Sequence, residues 1–228
     1  MIETVARRLS AVEQRIESAC SRSGRSRSAV TLVAVSKTFS ASDIEEAIAA
    51  GVTDIGENKV QEAESKLASL ERVARFHLIG HLQSNKSKLA VSLFDVVQTV
   101  DSSKLGRRLN DAAAAEGKQL EVLVQVNVGE EEQKHGVRAA DAPALIAELQ
   151  PFENLEVTGL MTIPPVGGEA ETREYFGNLR ALRDRIRDDL GLTPFRHLSM
   201  GMSADYEIAI EEGATIVRVG SAIFGRRG

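Results

Sequence analysis

The chain has no tryptophan, two tyrosines, seven phenylalanines and a single cysteine among its 228 residues. Cys20 alone cannot close an internal bridge, which excludes the disulfide-stapled scaffolds of small secreted domains. It is read as a buried thiol with no chemistry, because a reactive thiol needs a cationic pocket. No stretch approaches the roughly 18 consecutive apolar residues of a membrane span. The first residues, Met1-Ile2-Glu3-Thr4-Val5-Ala6-Arg7-Arg8, lack the apolar run of a signal peptide, so a cytoplasmic location is expected. An excess of positive charge is missing as well: 28 Lys and Arg stand against 33 Asp and Glu, a net charge of −5. No global field would gather nucleic acid or anionic lipid, so a phosphate-bearing partner must be small and held locally.

What is present is ordinary globular sequence, 43% hydrophobic and 27% charged. A chain of this length buries about 70% of its unfolded surface and needs neither disulfide nor metal to be stable. Ile2, Val5, Leu9, Val12, Ile16 and Cys20 recur at spacings of three and four, which predicts an amphipathic helix before any strand. Ala29 to Ser36 then runs almost continuously apolar and β-branched, as a strand covered on both faces does. Further strands are expected at Thr53 to Ile55, Phe76 to Ile79, Phe94 to Val100, Leu120 to Val126, Leu155 to Ile163, Phe195 to Ser199 and Thr215 to Val219. Helices are expected between them at Asp43 to Ala50, Val60 to Leu70, Ser103 to Glu116, Ala142 to Leu149, Thr172 to Leu190 and Ala204 to Glu212, with a short one near Ser84 to Val91. The alternation predicts an α/β fold, a single (β/α)8 TIM barrel over residues 1–228, rather than an open doubly wound sheet. With only Ser221 to Gly228 after the last strand, the N-terminal helix is expected to cover the place of an eighth helix.

In such a barrel the chemistry sits at the C-terminal ends of the strands. Lys37 directly continues the first strand and shares its face with Val33 and Val35. If that face is the lumen, the amine emerges at the barrel mouth, where a partly desolvated lysine is a nucleophile toward an aldehyde. The alternative is a lysine that snorkels to solvent. Ser199-Met200-Gly201-Met202-Ser203 and Arg218-Val219-Gly220-Ser221 follow the last two strands, where barrels commonly hold phosphate. Ser203 reads as a helix N-cap. Arg218 alternates with Ile216 and must therefore face either a ligand or a buried ion-pair partner. His77 and His81 lie four apart on one strand, a spacing that makes a metal ligand pair on a helix, so no metal is expected. The arginine-rich segment Thr172 to Asp189 carries acids throughout and reads as a solvated face. Pro164-Pro165-Val166-Gly167-Gly168 is either a lid over the mouth or a plain loop.

Six runs in order resemble one family: Val33-Ala34-Val35-Ser36-Lys37-Thr38, Gly56-Glu57-Asn58-Lys59-Val60-Gln61-Glu62, Phe76 to Lys86, Gly159-Leu160-Met161, Leu198 to Ser203 and Val217 to Gly225. They are similar to the pyridoxal phosphate homeostasis proteins, whose barrel is similar to the N-terminal domain of alanine racemase. Phe76 stands where that family usually has tryptophan, and Lys59 where it commonly has an aromatic residue. The resemblance implies a cofactor, pyridoxal 5′-phosphate (PLP), held as a Schiff base on Lys37. It implies that Ser199, Ser203, Gly220 and Ser221 hold the phosphate, that Arg218 meets the ring nitrogen, and that Asn58, His81 and Met161 line the ring pocket. The implied function is PLP (vitamin B6) and amino-acid homeostasis with little or no catalysis, with delivery to apo forms of PLP-dependent enzymes. A monomer is expected, with a dimer as the alternative. Two other functions are weighed: a PLP-dependent racemase or lyase using Lys37 as base, and a cofactor-free Schiff-base aldolase. A racemase of the resembling kind also needs a tyrosine from a second domain. Tyr175 and Tyr206 instead read as helix residues.

Overall fold

The computed structural model describes residues 4–71, 73–131 and 133–225; Ile2 and the residues after Gly225 lie outside that range. Elements alternate along the chain as α1 (Val5–Arg22), β1 (Thr31–Val35), α2 (Ala41–Ala49), β2 (Asp54–Glu57), α3 (Val60–Leu67), β3 (Arg75–Leu78), α4 (Ser87–Leu93), β4 (Val96–Val100) and α5 (Ser103–Ala115). They continue as β5 (Leu120–Asn127), β6 (Val137–Arg138), α6 (Ala142–Leu149), β7 (Leu155–Met161), α7 (Glu169–Leu190), β8 (His197–Ser199), α8 (Tyr206–Glu211), β9 (Ile216–Val219) and α9 (Ser221–Phe224). All strand pairings are parallel, in the order β4-β3-β2-β1-β9-β8-β7-β5, and a β4–β5 pairing closes the ring. This is the expected eight-stranded barrel, with β6 added outside β5 against Val126 and Asn127.

The strands form because nearly every position is apolar or β-branched and buried on both faces, as in β4, where Val96 to Val100 are all buried. Outward side chains pack under the helices, while Val33, Val96, Leu123, Met161 and Ile216 make a separate apolar layer inside the ring. Thr4 caps α1 by accepting the Arg7 N–H, and Val5, Leu9, Val12, Ile16 and Cys20 are buried along one stripe. Each such side chain contributes about 1.5–3 kcal/mol by leaving water. The stripe packs against α8, α9 and α2. Arg8 donates to the carbonyls of Ile223 (2.6 Å) and Phe224 (3.2 Å), and Arg22 pairs with Glu211 at 2.8 Å. Thus α1 does cover the gap after β9.

One expectation needs correction. The predicted cap Ser203 does not begin α8: Asp205 precedes Tyr206, and its carboxylate accepts the Met202 N–H at 2.6 Å. Ser203 Oγ instead accepts the Gly220 N–H, and Asp205 at the N-cap makes no side-chain hydrogen bond into α8. The short segment before β4 begins as a 3₁₀ turn over Ser84–Lys86 and continues into α4.

Candidate functional site

At the C-terminal ends of β1, β2, β8 and β9 lies a cavity of about 360 Å³. Its wall includes Lys37, Asn58, Ser203, Arg218, Gly220 and Ser221. Phe39 adds an apolar side, held by stacking on Phe224 with ring centroids 4.9 Å apart. Six of the nine residues expected at the site therefore meet in one space. The other three lie around it. Ser199 is wholly buried against Arg218, Met161 belongs to the apolar lumen layer, and His81 stacks on His135 at 3.7 Å with Asp101 Oδ2 3.7 Å from its Nδ1. Among the described residues, His81, Asp101 and His135 form a cluster of metal-ligating type; His77 has no place in it.

Lys37 is set by its neighbours. Val33 and Val35 point toward the lumen and the cavity, so the period of two carries Lys37 to the same side. Thr38 then turns the chain at φ +69°, a conformation rare for a β-branched residue. Its N–H is held by the Glu62 carboxylate. Lys66 Nζ ties the turn to β2, donating to Glu62 Oε1 (2.7 Å), Glu57 Oε1 (2.9 Å) and the Ser36 carbonyl (2.9 Å). Glu57 is fully buried; burial pushes its carboxyl up, only partly offset by the Ser36 hydroxyl and Lys66. Asn58 is positioned by a close approach: a Cβ on Gly80 would sit 2.1 Å from the Asn58 carbonyl oxygen. Only glycine fits there.

The runs after β8 and β9 meet, although not through a cap. Ser203 Oγ accepts the Gly220 N–H at 3.3 Å, and Arg218 N–H donates to the Gly201 carbonyl at 2.9 Å. Gly201 takes φ +91°, with Ala209 so near that a Cβ would meet its methyl at 2.5 Å.

Arg218 is 3% exposed, and no carboxylate lies within ion-pair distance of it among the described residues. That removes the buried ion-pair reading. Its Nη1 donates to Ser199 Oγ at 2.6 Å and its Nη2 to the Thr162 carbonyl at 2.7 Å. Burial pushes the guanidinium down to about 10, against a smaller upward pull from Asp205, so it remains a cation at neutral pH.

A buried polar chain starts here, which the sequence reading did not anticipate. Ser199 Oγ donates to Gln98 Oε1 (2.6 Å), Gln98 Nε2 reaches His77 Nδ1 (3.0 Å), and His77 Nε2 reaches Asp54 Oδ1 (2.8 Å). The two ends fix its direction. A guanidinium only donates and a carboxylate only accepts, so His77 carries its proton on Nε2 and every donor points from Arg218 toward Asp54. Burial opposes ionisation of Asp54, but hydrogen bonds from His77 and Thr53 outweigh it and hold the carboxyl below its usual range. The signal in the sequence was Gln98 itself, a polar residue inside the apolar run Val96-Val97-Gln98-Thr99-Val100. Neither Tyr175 nor Tyr206 lines the cavity.

Comparison with known proteins places the fold in a family. Residues 8–228 match the model of the alanine racemase N-terminal domain. The chain is 40% identical over 222 residues to a pyridoxal phosphate homeostasis protein of Aquifex aeolicus, covering 96% of this chain and 97% of that one. It is 41% identical over 231 residues to the protein of the same name in Escherichia coli, covering 98% and 97%. Among solved structures, PipY of Synechococcus elongatus superposes at TM-score 0.88 without PLP and 0.84 with PLP bound, at 37% identity, over 97% of this chain and 100% of that one. An alanine racemase of Clostridium difficile, 15% identical, shares the fold at TM-score 0.78 over 99% of this chain and 57% of its own length. The chain belongs to the pyridoxal phosphate homeostasis proteins, a family built on the alanine racemase N-terminal domain.

Proposed function

We propose that this protein binds pyridoxal 5′-phosphate on Lys37 and serves its homeostasis in the cytoplasm, as a carrier with little or no catalysis. The observation that carries the reading is the placement of Lys37 and a buried, carboxylate-free Arg218 on one cavity. Its volume of about 360 Å³ lies within the ~300–1,000 Å³ of small-ligand sites. When bound, PLP supplies an aldehyde that condenses reversibly with an amine.

The chain's residues fit that group. Lys37 offers the amine, Ser203 and Ser221 offer hydroxyls where a phosphate would sit, and Gly220, tied to Ser203, leaves room beside them. Two donors of Arg218 are used by Ser199 and Thr162; the rest have no acceptor in the described protein and suit a ring nitrogen, which accepts. A cation there keeps that nitrogen unprotonated and weakens electron withdrawal by the ring, which disfavours amino-acid chemistry. No described tyrosine stands at the cavity to move a second proton. Asn58 flanks the ring from the wall, Ser199 aims Arg218, Met161 supports the floor, and His81 belongs to the rim. PipY, which has been solved with PLP bound, supports the assignment. Reversible attachment suits hand-over to apo forms of PLP-dependent enzymes.

The test is an absorption spectrum of the purified protein with PLP, then borohydride reduction and peptide mapping, for wild type and Lys37→Ala. An imine band with pyridoxyl label on Lys37, lost in the variant, is expected; label spread over surface lysines would sink the assignment. Exchange of an amino acid's α-proton with deuterium at catalytic rates would favour a racemase or lyase instead.

A further inference from the structure

A second concave region lies apart from the Lys37 site. A groove of about 750 Å³ runs between α4 and α5 on the outside of the barrel. Ser84 and Asn85 line one part of it; both belong to the Phe76 to Lys86 motif, of which the Lys37 cavity takes Ile79 but not these two. Lys88 of α4 faces Lys104, Arg107 and Arg108 of α5 across it. The three α5 cations stand at i, i+3 and i+4, hence on one face of that helix.

Among the described residues, most arginines on this surface are paired with carboxylates, whereas the cations of the groove are not. Arginines elsewhere pair with carboxylates as a rule: Arg22 with Glu211, Arg75 with Glu121, Arg173 with Glu169, Glu211 and Glu212, and Arg187 with Asp184 and Asp188. None of Lys88, Lys104, Arg107 and Arg108 has a carboxylate within ion-pair distance among the described residues. Asp111, the one acid lining the groove, is instead hydrogen-bonded by Asn110 at 3.3 Å. Arg107 is held over the ring of Phe152, 5.3 Å from its centroid. Four cations and one acid thus share a groove in a chain whose net charge is −5. Like charges at i and i+4, as at Lys104 and Arg108, disfavour a helix, so an anion between them removes a standing repulsion.

We propose that this groove binds a small phosphate-bearing anion of nucleotide size. The volume falls within the ~300–1,000 Å³ of small-ligand sites. The α5 cations span only about 6 Å of helix before Asp111 interrupts them, a length suited to two or three linked phosphates and too short to follow a nucleic-acid strand. Lys104 lies in the first turn of α5, where the helix dipole is positive. Beyond the cations Ala112 and Ala115 leave a low apolar strip for a flat body.

The site is independent of the cofactor assignment, and so is its test. The full-length protein, with and without added PLP, is titrated at low salt with ATP, pyrophosphate and adenosine, by calorimetry and by amide NMR. The expected result is binding of ATP and pyrophosphate but not adenosine, with shifts centred on residues 84–88 and 104–115. Affinity should fall at least tenfold in Lys104→Glu/Arg108→Glu, with thermal stability and the spectrum of added PLP unchanged. Three results would overturn it: no shifts in those segments at millimolar ATP, equal affinity in the variant, or tighter binding of an oligoglutamate peptide, which would make the groove a protein-docking face.

Discussion

Replacing Gln98 by leucine cuts the buried polar chain at its middle link. Gln98 is fully buried, accepts from Ser199 Oγ at 2.6 Å and donates to His77 Nδ1 at 3.0 Å. Leucine has nearly the same size and can do neither. Ser199 loses the acceptor for its own proton, and His77 Nδ1 loses its donor. Each orphaned group costs about 1–3 kcal/mol. Burying methyl groups in place of an amide returns about 1 kcal/mol, so a net loss of roughly 1–5 kcal/mol is expected. With a urea m-value of about 3 kcal/mol/M, the unfolding midpoint falls by about 0.3–1.7 M. A second readout separates the polar chain from mere packing. The side-chain ¹⁵N shifts of His77 should report the Nε2-protonated tautomer in wild type, and that signature should be lost when Gln98 no longer donates. A stability loss under about 1 kcal/mol, or a proton on Nδ1 in wild type, would refute the direction assigned to the chain.

Further outcomes follow from the same geometry. Asp54 has a folded pKa below its unfolded value of about 3.9, so its stabilisation is full above that pH and is lost as pH falls through the folded value. The urea midpoint of Asp54→Asn should lie below wild type at pH 6, and the gap should narrow toward pH 2. Lys66→Met leaves Glu57 buried without its cation and should cost about 3 kcal/mol; adding Glu57→Gln should recover part of it in a double-mutant cycle read by thermal melting. Thr38→Gly relieves the positive φ, worth about 1–2 kcal/mol, against about 0.5–1 kcal/mol of added chain entropy. A small rise in melting temperature is therefore expected, and a fall would show that the turn is unstrained.

The barrel was legible because its signals are local. Apolar β-branched runs, amphipathic helices and glycine stops such as Gly191, at φ +63° after α7, repeat with little interruption. The rule that ligands gather at strand ends then located Lys37, Asn58, Ser203, Arg218, Gly220 and Ser221 without any coordinates. What stayed hidden depends on closing the ring. Gln98 meets Ser199 across 101 residues, and no spacing in the sequence encodes that meeting. His81 could be placed at the mouth, yet its stacking on His135 depends on the path of the β5–β6 connection. Ser203 was misread as a cap because two candidates lay close together and propensity alone does not rank a serine against an aspartate two residues later.

The docking of α1 has a consequence in time. Its apolar stripe is covered largely by α8 and α9, and Arg15 finds its partner Glu207 a full 192 residues later. At about 5–20 residues per second, a ribosome takes on the order of 10–40 s to make the intervening chain. Through that interval the helix waits with Leu9, Val12 and Ile16 uncovered, a surface that a nascent-chain chaperone would recognise. The ring can close only when its last strand is free to meet its first, so folding to the native state waits until β9 has left the ribosome.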